Sequence, residues 1–170
     1  MSQREYDVVV YGATGYTGRL VAEYLATQYP SGLRWAMAGR SEDKLEAVRA
    51  EIGAPESTPF VIADASDPAS LSAMAAQARV VITTVGPYQL YGEPLVRACA
   101  EAGADYVDLC GEPAWMHDII RDYDEAARES GARIVLSCGF DSIPFDMGVF
   151  FLQEHAKSVS GAPVKRVKGR

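Results

Sequence analysis

A short apolar strand that runs directly into a glycine-spaced turn and a helix is the feature that most limits how this chain can fold. Residues 6–11, which contain three valines in succession, predict a strand buried on both faces. Residues 12–18, GATGYTG, follow without a gap, and residues 15–29 predict a helix. The spacing GxxGxxG is one residue longer than the GxGxxG pattern of dinucleotide-binding turns. The chain therefore begins with the strand–turn–helix unit typical of a nucleotide-binding fold.

The same alternation continues along the chain. Apolar stretches of strand length are separated by stretches with helical spacing; the further predicted strands are residues 33–38, 60–62, 80–83, 105–109 and 133–136. Six strands that alternate with helices predict an α/β fold, a doubly wound parallel sheet of the Rossmann-like NAD(P)-binding type. Because crossovers between parallel strands are right-handed, the strand-to-helix loops should open at one edge of the sheet. The fourth strand should lie beside the first, across the point where a cofactor binds.

Capping residues and apolar stripes predict the helices between these strands. Ser41 is expected to cap the second helix, Asp67-Pro68 to begin the third, and Gly53, Gly103 and Gly131 to end three helices. Two stripes are expected to face the sheet: Leu20, Val21, Tyr24 and Leu25 on the first helix, and Ile119, Ile120, Tyr123 and Ala127 on a later one.

Each glycine of the turn has a physical role in a dinucleotide site. Gly12 permits the tight turn off the strand, Gly15 lets the backbone approach a pyrophosphate, and Gly18 lets the helix pack near the sheet. The N–H groups of the first helical turn and the helix dipole favour the anion. The other loop residues predicted to contact the cofactor are Thr14, Tyr16 and Thr17. The alternative is a tight turn with no ligand.

The end of the second strand predicts which cofactor binds. An NAD site places Asp or Glu there to accept hydrogen bonds from the adenosine ribose, whereas this sequence has Arg40. A guanidinium can meet a 2′-phosphate with its planar fork and can stack on adenine. Ser41 and Lys44 follow and can add donors. The sequence therefore favours NADP, with NADPH preferred over NADH; the alternative is an ordinary surface charge.

Two later loops complete the predicted cofactor site. Asp64 and Ala65 follow the third strand, where adenine is usually contacted. Gly86, Pro87 and Tyr88 follow the fourth strand and should lie at the nicotinamide end, where Gly86 permits close approach. Tyr88 could stack on the cofactor or donate a proton; the alternative is an aromatic ring packed under the loop.

No residue stands out as catalytic. Tyr88 and Asp141 are the candidates, and helix capping explains acids such as Asp141 and Glu112 equally well. Cys110 and Cys138 have no neighbouring histidine in the sequence, so small buried thiols are the simpler interpretation. His117 and His155 lack ligand-like spacing, which predicts no metal site.

Charge and apolar content exclude several classes of partner and location. The net charge of −7 argues against a nucleic-acid binder, which needs clustered Lys and Arg. No apolar run approaches the ~20 residues of a membrane span, and the polar N-terminus does not predict a signal peptide. Three cysteines without CxxC spacing indicate reduced thiols, so we expect a cytoplasmic location.

The C-terminal part of the chain differs from the rest. Residues 143–154 predict an apolar helix with three phenylalanines, and a basic tail follows. We expect residues 1–152 to form the dinucleotide-binding domain and residues 153–170 to be a linker or the start of a truncated second domain; a disordered basic tail is the alternative. Exposed phenylalanines on this helix would favour self-association, so a homodimer is expected.

Four segments together resemble the saccharopine dehydrogenase-like oxidoreductases, and among them the actinobacterial trans-acting enoyl reductases. The segments are VYGATGYTG, AGR, TTVGPYQLYGEPLVRACAEAGADYVDLCGE and GFDSIPFDMG. The resemblance implies a nicotinamide-dependent reductase with a second α/β domain that carries much of the substrate pocket. It matches Gly12, Gly15, Gly18 and Arg40 to the cofactor motif and supplies no catalytic residue. Family members are longer, which implies that this chain is an N-terminal fragment, inactive by itself.

Three functions remain open at this point. The first is an NADPH-dependent reductase that acts on the enoyl (C=C) group of a lipid-like acyl substrate. The second is an amino-acid or imine dehydrogenase of the saccharopine type, acting on another small molecule. The third is a non-catalytic NADP(H)-binding or redox-sensing module. Fold alone does not separate them.

Overall fold

Six parallel strands form one sheet in the computed structural model, which describes residues 4–169. Their spatial order is β3-β2-β1-β4-β5-β6, so the N-terminal strand lies at the centre. The strands are β1 Tyr6–Tyr11, β2 Trp35–Gly39, β3 Phe60–Ile62, β4 Ala78–Thr83, β5 Asp105–Val107 and β6 Ile134–Val135. This is the predicted doubly wound sheet, and its strand order reverses between β1 and β4.

Seven helices connect or follow the strands within residues 4–169. They are α1 Tyr16–Gln28, α2 Glu42–Glu51, α3 Pro68–Gln77, α4 Tyr88–Tyr91, α5 Glu93–Ala102, α6 Pro113–Ser130 and α7 Ile143–Ser160. Helices α1 and α2 pack on one face of the sheet, and α3, α5 and α6 pack on the other. The alternating side chains of β1 divide between the two cores, since Val9 faces one and Val10 the other, both with no exposed surface.

The buried face of α1 differs from the predicted stripe. Leu20 and Tyr24 are 45% and 57% exposed, whereas Gly18, Ala22 and Leu25 are buried. Gly18 allows α1 to approach the turn after β1 so closely that this contact sets the rotation of the helix. Position 20 then lies about 200° around the helix from position 18 and faces solvent.

A similar correction applies to α6. Ile120 is 59% exposed, whereas Ile119 and Ala127 are buried as predicted. Trp115, one turn before Ile119, supplies the bulk that the sequence pattern assigned to Ile120. The helix keeps the predicted apolar face except at Ile120.

The predicted capping residues agree with the structure except at Ser41. Asp67 caps α3 by accepting a hydrogen bond from the Ala69 N–H at 3.0 Å, and Gly103 and Gly131 end α5 and α6 in the left-handed conformation. Ser41 occupies the position before α2, but its side chain makes no capping hydrogen bond. Its predicted capping role is therefore wrong.

Helix α7 is longer and more exposed than predicted. It continues to Ser160, so the expected domain boundary at residue 152 falls inside it, and the domain division stays a prediction. It has no buried residue, and Phe145, Phe150 and Phe151 are 55%, 60% and 72% exposed. No helix within residues 4–169 is long and apolar enough to cross a membrane.

Candidate cofactor site

A cavity of about 410 Å³ opens at the carboxyl edge of the sheet, over the ends of β1, β2, β3 and β4. It lies at the point where the strand order reverses, which is where open α/β sheets bind ligands. The residues that line it are Tyr11, Gly12, Thr14, Gly15, Gly39, Arg40, Ala63, Asp64, Ala65, Ser66, Thr84, Val85, Gly86 and Tyr91. Seven of these fourteen are residues that the sequence predicts as cofactor contacts: Gly12, Thr14, Gly15, Arg40, Asp64, Ala65 and Gly86.

Backbone hydrogen bonds shape the glycine loop. The Gly12 and Ala13 N–H groups donate to the Ala38 carbonyl at 2.9 and 3.2 Å, and the Gly15 N–H donates to the Gly12 carbonyl at 2.9 Å. Gly12 adopts a φ of +89°, and a Cβ there would lie 2.7 Å from the Thr84 Oγ1. Both facts require glycine at this position.

Gly18 is needed for packing, as the sequence predicts. A Cβ at this position would lie 2.1 Å from the Gly12 carbonyl oxygen, far closer than any real contact. Because that oxygen belongs to the backbone of the turn, it cannot move without changing the turn itself. Gly18 therefore fixes the distance between α1 and the glycine loop, although it does not line the cavity.

The start of α1 suits an anion. Gly15 precedes the helix, no side chain caps it, and its first turn carries no acidic residue. The first N–H groups of any helix have no intrahelical partner, and in α1 no side-chain cap accepts from them. A pyrophosphate beside Gly15 would receive these donors together with the positive end of the helix dipole.

Arg40 and Asp64 flank the cavity at the ends of β2 and β3. Arg40 is exposed and makes no ion pair within residues 4–169, so its guanidinium is available to a ligand. The Asp64 Oδ1 accepts hydrogen bonds from the Ser66 N–H at 2.9 Å and the Ser66 Oγ at 2.7 Å. These bonds and the nearby Arg40 charge hold the pKa of Asp64 below its usual value. Asp64 is thus an ionised acceptor whose Oδ1 is committed to a local turn.

The loop after β4 provides the opposite wall. Thr84, Val85 and Gly86 line the cavity, and a Cβ on Gly86 would meet nothing closer than 3.7 Å. The protein itself therefore does not require glycine there, which is consistent with a ligand approaching the backbone at this point. The peptide bond between Gly86 and Pro87 is cis.

Tyr88 is a packed aromatic residue and does not line the cavity. It is 6% exposed, lies 5.6 Å from the Trp115 ring and donates its hydroxyl to the Thr83 carbonyl at 3.2 Å. Burial raises its pKa to about 12. Because the hydroxyl is already engaged, the structure favours the packed-aromatic interpretation over the proton donor. Tyr91, one turn further along α4, lines the cavity instead.

Several other predicted contacts also lie outside the cavity wall: Tyr16, Thr17, Ser41, Lys44 and Pro87. Asp141 is exposed in the turn before α7 and makes no hydrogen bond within residues 4–169. Sequence analysis missed the lining residues Tyr11, Gly39, Ala63, Ser66, Thr84, Val85 and Tyr91. Six of these residues lie at a strand end or within the four residues that follow it, and this position in the sequence could have identified them as lining residues. Tyr91 depended on α4, which was not predicted.

The other half of the carboxyl edge is organised around Asp108, which is 3% exposed. Its carboxylate accepts hydrogen bonds from the Tyr106 hydroxyl at 2.9 Å, the Cys110 N–H at 3.0 Å and the Ser137 N–H at 2.7 Å. Ser137 takes a φ of +58°, which this bond helps to hold. Asp108 therefore ties the loop after β5 to the loop after β6.

Glu112 joins the same half of the edge to α4. Its two carboxylate oxygens accept hydrogen bonds from the Tyr88 and Gln89 N–H groups at 2.7 and 2.9 Å. Glu112 therefore caps α4. Helix capping was one of the interpretations that the sequence left open for this residue.

Cys99 and Cys110 are buried thiols, whereas Cys138 is only partly buried, so the buried-thiol interpretation is confirmed for Cys110 and not for Cys138. All three are free, and burial raises the pKa of Cys99 to about 12 and those of Cys110 and Cys138 above their usual value. A thiol with a raised pKa is a poor nucleophile at neutral pH. Within residues 4–169, no cluster of three or more His, Cys, Asp or Glu side chains could hold a metal ion.

A parallel doubly wound sheet with a glycine loop, an uncapped helix start and a cavity at the switch point defines a Rossmann-like nucleotide-binding domain. Residues 8–135 match the saccharopine dehydrogenase NADP binding domain. The chain belongs to this family, and its cofactor is NADP.

Similar chains are known from mycobacteria. A Mycobacterium tuberculosis protein is 54% identical over 160 residues, which is 94% of this chain and 38% of that protein. Trans-acting enoyl reductases of Mycobacterium bovis and Mycobacterium ulcerans are 53% and 52% identical, over 89% and 91% of this chain and 36% and 37% of theirs. The chain thus spans less than two-fifths of the length of these relatives.

Solved structures share the fold at low identity. Saccharopine dehydrogenase from Saccharomyces cerevisiae superposes with a TM-score of 0.70 and 18% identity, over 90% of this chain and 32% of that one. Triphenylmethane reductase from Citrobacter sp., in complex with NADP(H), gives a TM-score of 0.57 and 19% identity, over 92% and 55% of the two chains.

Proposed function

We propose that this chain is the cofactor domain of an NADPH-dependent oxidoreductase that reduces the enoyl group of a lipid-like acyl substrate. The observation that carries the cofactor part is Arg40, free and exposed at the rim of the cavity where an NAD site would have a carboxylate. The substrate part rests on the names of mycobacterial relatives that are more than half identical.

The residues of this chain would bind and orient the cofactor. The glycine loop and the start of α1 would hold the pyrophosphate, Arg40 the 2′-phosphate, and Gly86 would let the nicotinamide end lie against the backbone. NADPH, when bound, supplies the hydride. The protein contributes position, because the walls of the cavity fix which part of the cofactor faces the substrate.

The test of this function is NADPH oxidation by the full-length gene product against enoyl, keto and imino compounds. Turnover of an enoyl acyl thioester, with little or none of the others, would support the proposal. Turnover of an imine or an amino acid would replace it with a saccharopine-type dehydrogenase. Tight NADPH binding with no turnover of any compound would replace it with a non-catalytic redox-sensing module.

We also propose that the substrate side is built outside these 170 residues. The cavity is lined by residues that we propose hold the cofactor, whereas α7 buries none of its side chains. The chain of 170 residues should therefore bind NADPH and show no turnover. Measurable NADPH-dependent reduction by this chain alone would contradict the proposal.

The apolar surface of α7 makes a homodimer the expected state of the isolated chain. Phe145, Phe150 and Phe151 are exposed on one helix of 18 residues, and exposed apolar side chains favour association in water. Phe150→Glu should shift the solution mass from dimer to monomer without changing NADPH affinity. A monomer in the unsubstituted chain would contradict this expectation. The three free thiols are consistent with a reducing, cytoplasmic compartment.

A further inference from the structure

Tyr11 is a buried residue that reaches the cofactor cavity. It is the last residue of β1 and is 4% exposed, and its ring packs in the core with Ala36, Ala38 and Ala63. It nevertheless contributes to the wall of the cavity. The part of the side chain that is not enclosed by the core therefore faces the space where a ligand would lie.

The hydroxyl of Tyr11 has no hydrogen-bond partner among residues 4–169. The other two strongly buried tyrosines both have one, since Tyr88 donates to the Thr83 carbonyl at 3.2 Å and Tyr106 to the Asp108 carboxylate at 2.9 Å. Buried phenols normally find a partner. Within residues 4–169, Trp115 Nε1 is the side-chain polar atom that is fully enclosed and has no partner. The Tyr11 hydroxyl also has no partner but is not fully enclosed, so it retains access to the cavity.

Two charged groups, Arg40 and Asp64, line the same cavity as Tyr11. The pKa of Tyr11 is raised to about 12, mainly by burial, with a further rise from Asp64 and an opposing effect from Arg40. The phenol is therefore protonated at neutral pH and acts as a donor. Arg40 and Asp64 follow β2 and β3, on the adenosine side, whereas the nicotinamide side lies beyond β4.

We propose that the Tyr11 hydroxyl donates a hydrogen bond to the adenosine half of bound NADP(H). This inference rests on the NADP(H) site proposed above and adds a contact that the glycine motif does not predict. Because the ring is held by the core, the donor is in place before the ligand arrives and little side-chain freedom is lost on binding. Tyr11 would thus be a further binding residue for the adenosine end.

The test compares two tyrosine-to-phenylalanine variants that each remove one buried hydroxyl. Tyr11→Phe should lower the affinity for NADPH about threefold to tenfold, as expected for one neutral hydrogen bond. Its thermal stability should not change, because the hydroxyl has no partner in the protein. The control, Tyr106→Phe, removes a hydroxyl that bonds Asp108 outside the cavity, so it should lower stability and leave NADPH affinity unchanged.

Adenosine 2′,5′-bisphosphate identifies which half of the cofactor is contacted. Tyr11→Phe should weaken this ligand by the same factor as NADPH. Equal affinity of Tyr11→Phe and the unsubstituted chain for NADPH would overturn the proposal, and so would a loss confined to NADPH. If NADP(H) did not bind in this cavity at all, Gly15→Val would also leave NADPH affinity unchanged. That result distinguishes failure of the proposed cofactor site from failure of the Tyr11 contact alone.

Discussion

The two halves of the carboxyl edge are built in opposite ways. After β1 the glycine loop is short and held by backbone hydrogen bonds, and a cavity opens over the ends of β1, β2 and β3. Around β5 and β6 the loops are tied together by the buried carboxylate of Asp108 and joined to α4 by Glu112. We call these the glycine half and the carboxylate half. The difference indicates that the glycine half keeps donors free for a ligand, whereas the carboxylate half uses its acceptors to hold the protein together.

The sharpest test of this comparison is Asp108→Ala, with the largest expected effect. It leaves three hydrogen-bond donors without their acceptor. Each unsatisfied buried donor lowers the free energy of unfolding by about 1–3 kcal/mol, and water that enters the site offsets part of this loss. We expect the free energy of unfolding to fall by about 3–4 kcal/mol in urea titrations. NADPH affinity of the folded protein should be unchanged. Asp141→Ala, at an exposed carboxylate of the same half, should alter stability by less than about 0.5 kcal/mol.

The reverse result is expected in the glycine half for Gly15→Val. The backbone of Gly15 has a φ of −81°, which any residue adopts, and a Cβ there would lie 3.3 Å from the Gly12 carbonyl oxygen, so the fold should be retained after a small local adjustment. The added side chain would occupy the space of the pyrophosphate, and affinity for NADPH and NADH should fall together by about a hundredfold or more. Isothermal titration would measure both. The matched control is Gly111→Val in the carboxylate half, where a Cβ meets no atom within 4 Å and no loss is expected.

A smaller and selective effect is expected for Arg40→Ala. Removal of a charge-assisted contact to the 2′-phosphate should weaken NADPH about tenfold to a hundredfold and leave NADH unchanged. Arg40→Lys keeps the charge but loses the planar fork, so its loss should be intermediate. Tighter binding of NADH than of NADPH by the unsubstituted chain would refute the role of Arg40.

The smallest effect is expected for Glu112→Gln. The carboxylate caps the start of α4 through two backbone N–H groups, and a neutral amide can replace only part of this interaction. Stability should fall by about 1 kcal/mol in urea. Since Tyr91 of α4 lines the cavity, a loss of NADPH affinity in this variant would show that the two halves are coupled, contrary to the comparison.

The fold and the glycine half were predictable because their signals are local. A buried strand, its turn and its helix are adjacent in sequence, so Gly12, Gly15 and Gly18 could be assigned roles before any contact was known. The parallel sheet follows from the alternation of strands and helices, and the shared edge of the loops follows from the handedness of crossovers. These predictions needed no knowledge of which side chains meet.

The carboxylate half and the rotation of the helices were not predictable, because they depend on contacts between distant residues. Asp108 bonds the backbone of Ser137, 29 positions away, and nothing near either residue marks this pair. Leu20 and Ile120 fit the apolar stripes, yet Gly18 and Trp115 decide which face is buried. The sequence assigned Tyr11 only to the first strand. That its hydroxyl lacks a hydrogen-bond partner can be recognised only when the positions of all neighbouring side chains are known.

The central position of β1 also affects how the protein is made on the ribosome. Its partner β4 lies 72 positions later, Tyr6 pairing with Ala78 and Val10 with Ile82. Synthesis proceeds from the N-terminus, so one side of this apolar strand has no partner until residue 83 has emerged. Closing such a long loop is slow compared with local helix formation. The nascent chain therefore exposes one edge of this strand for tens of residues of elongation, and the glycine loop, whose Gly12 carbonyl accepts a hydrogen bond from the Thr84 hydroxyl, reaches its final shape only afterwards.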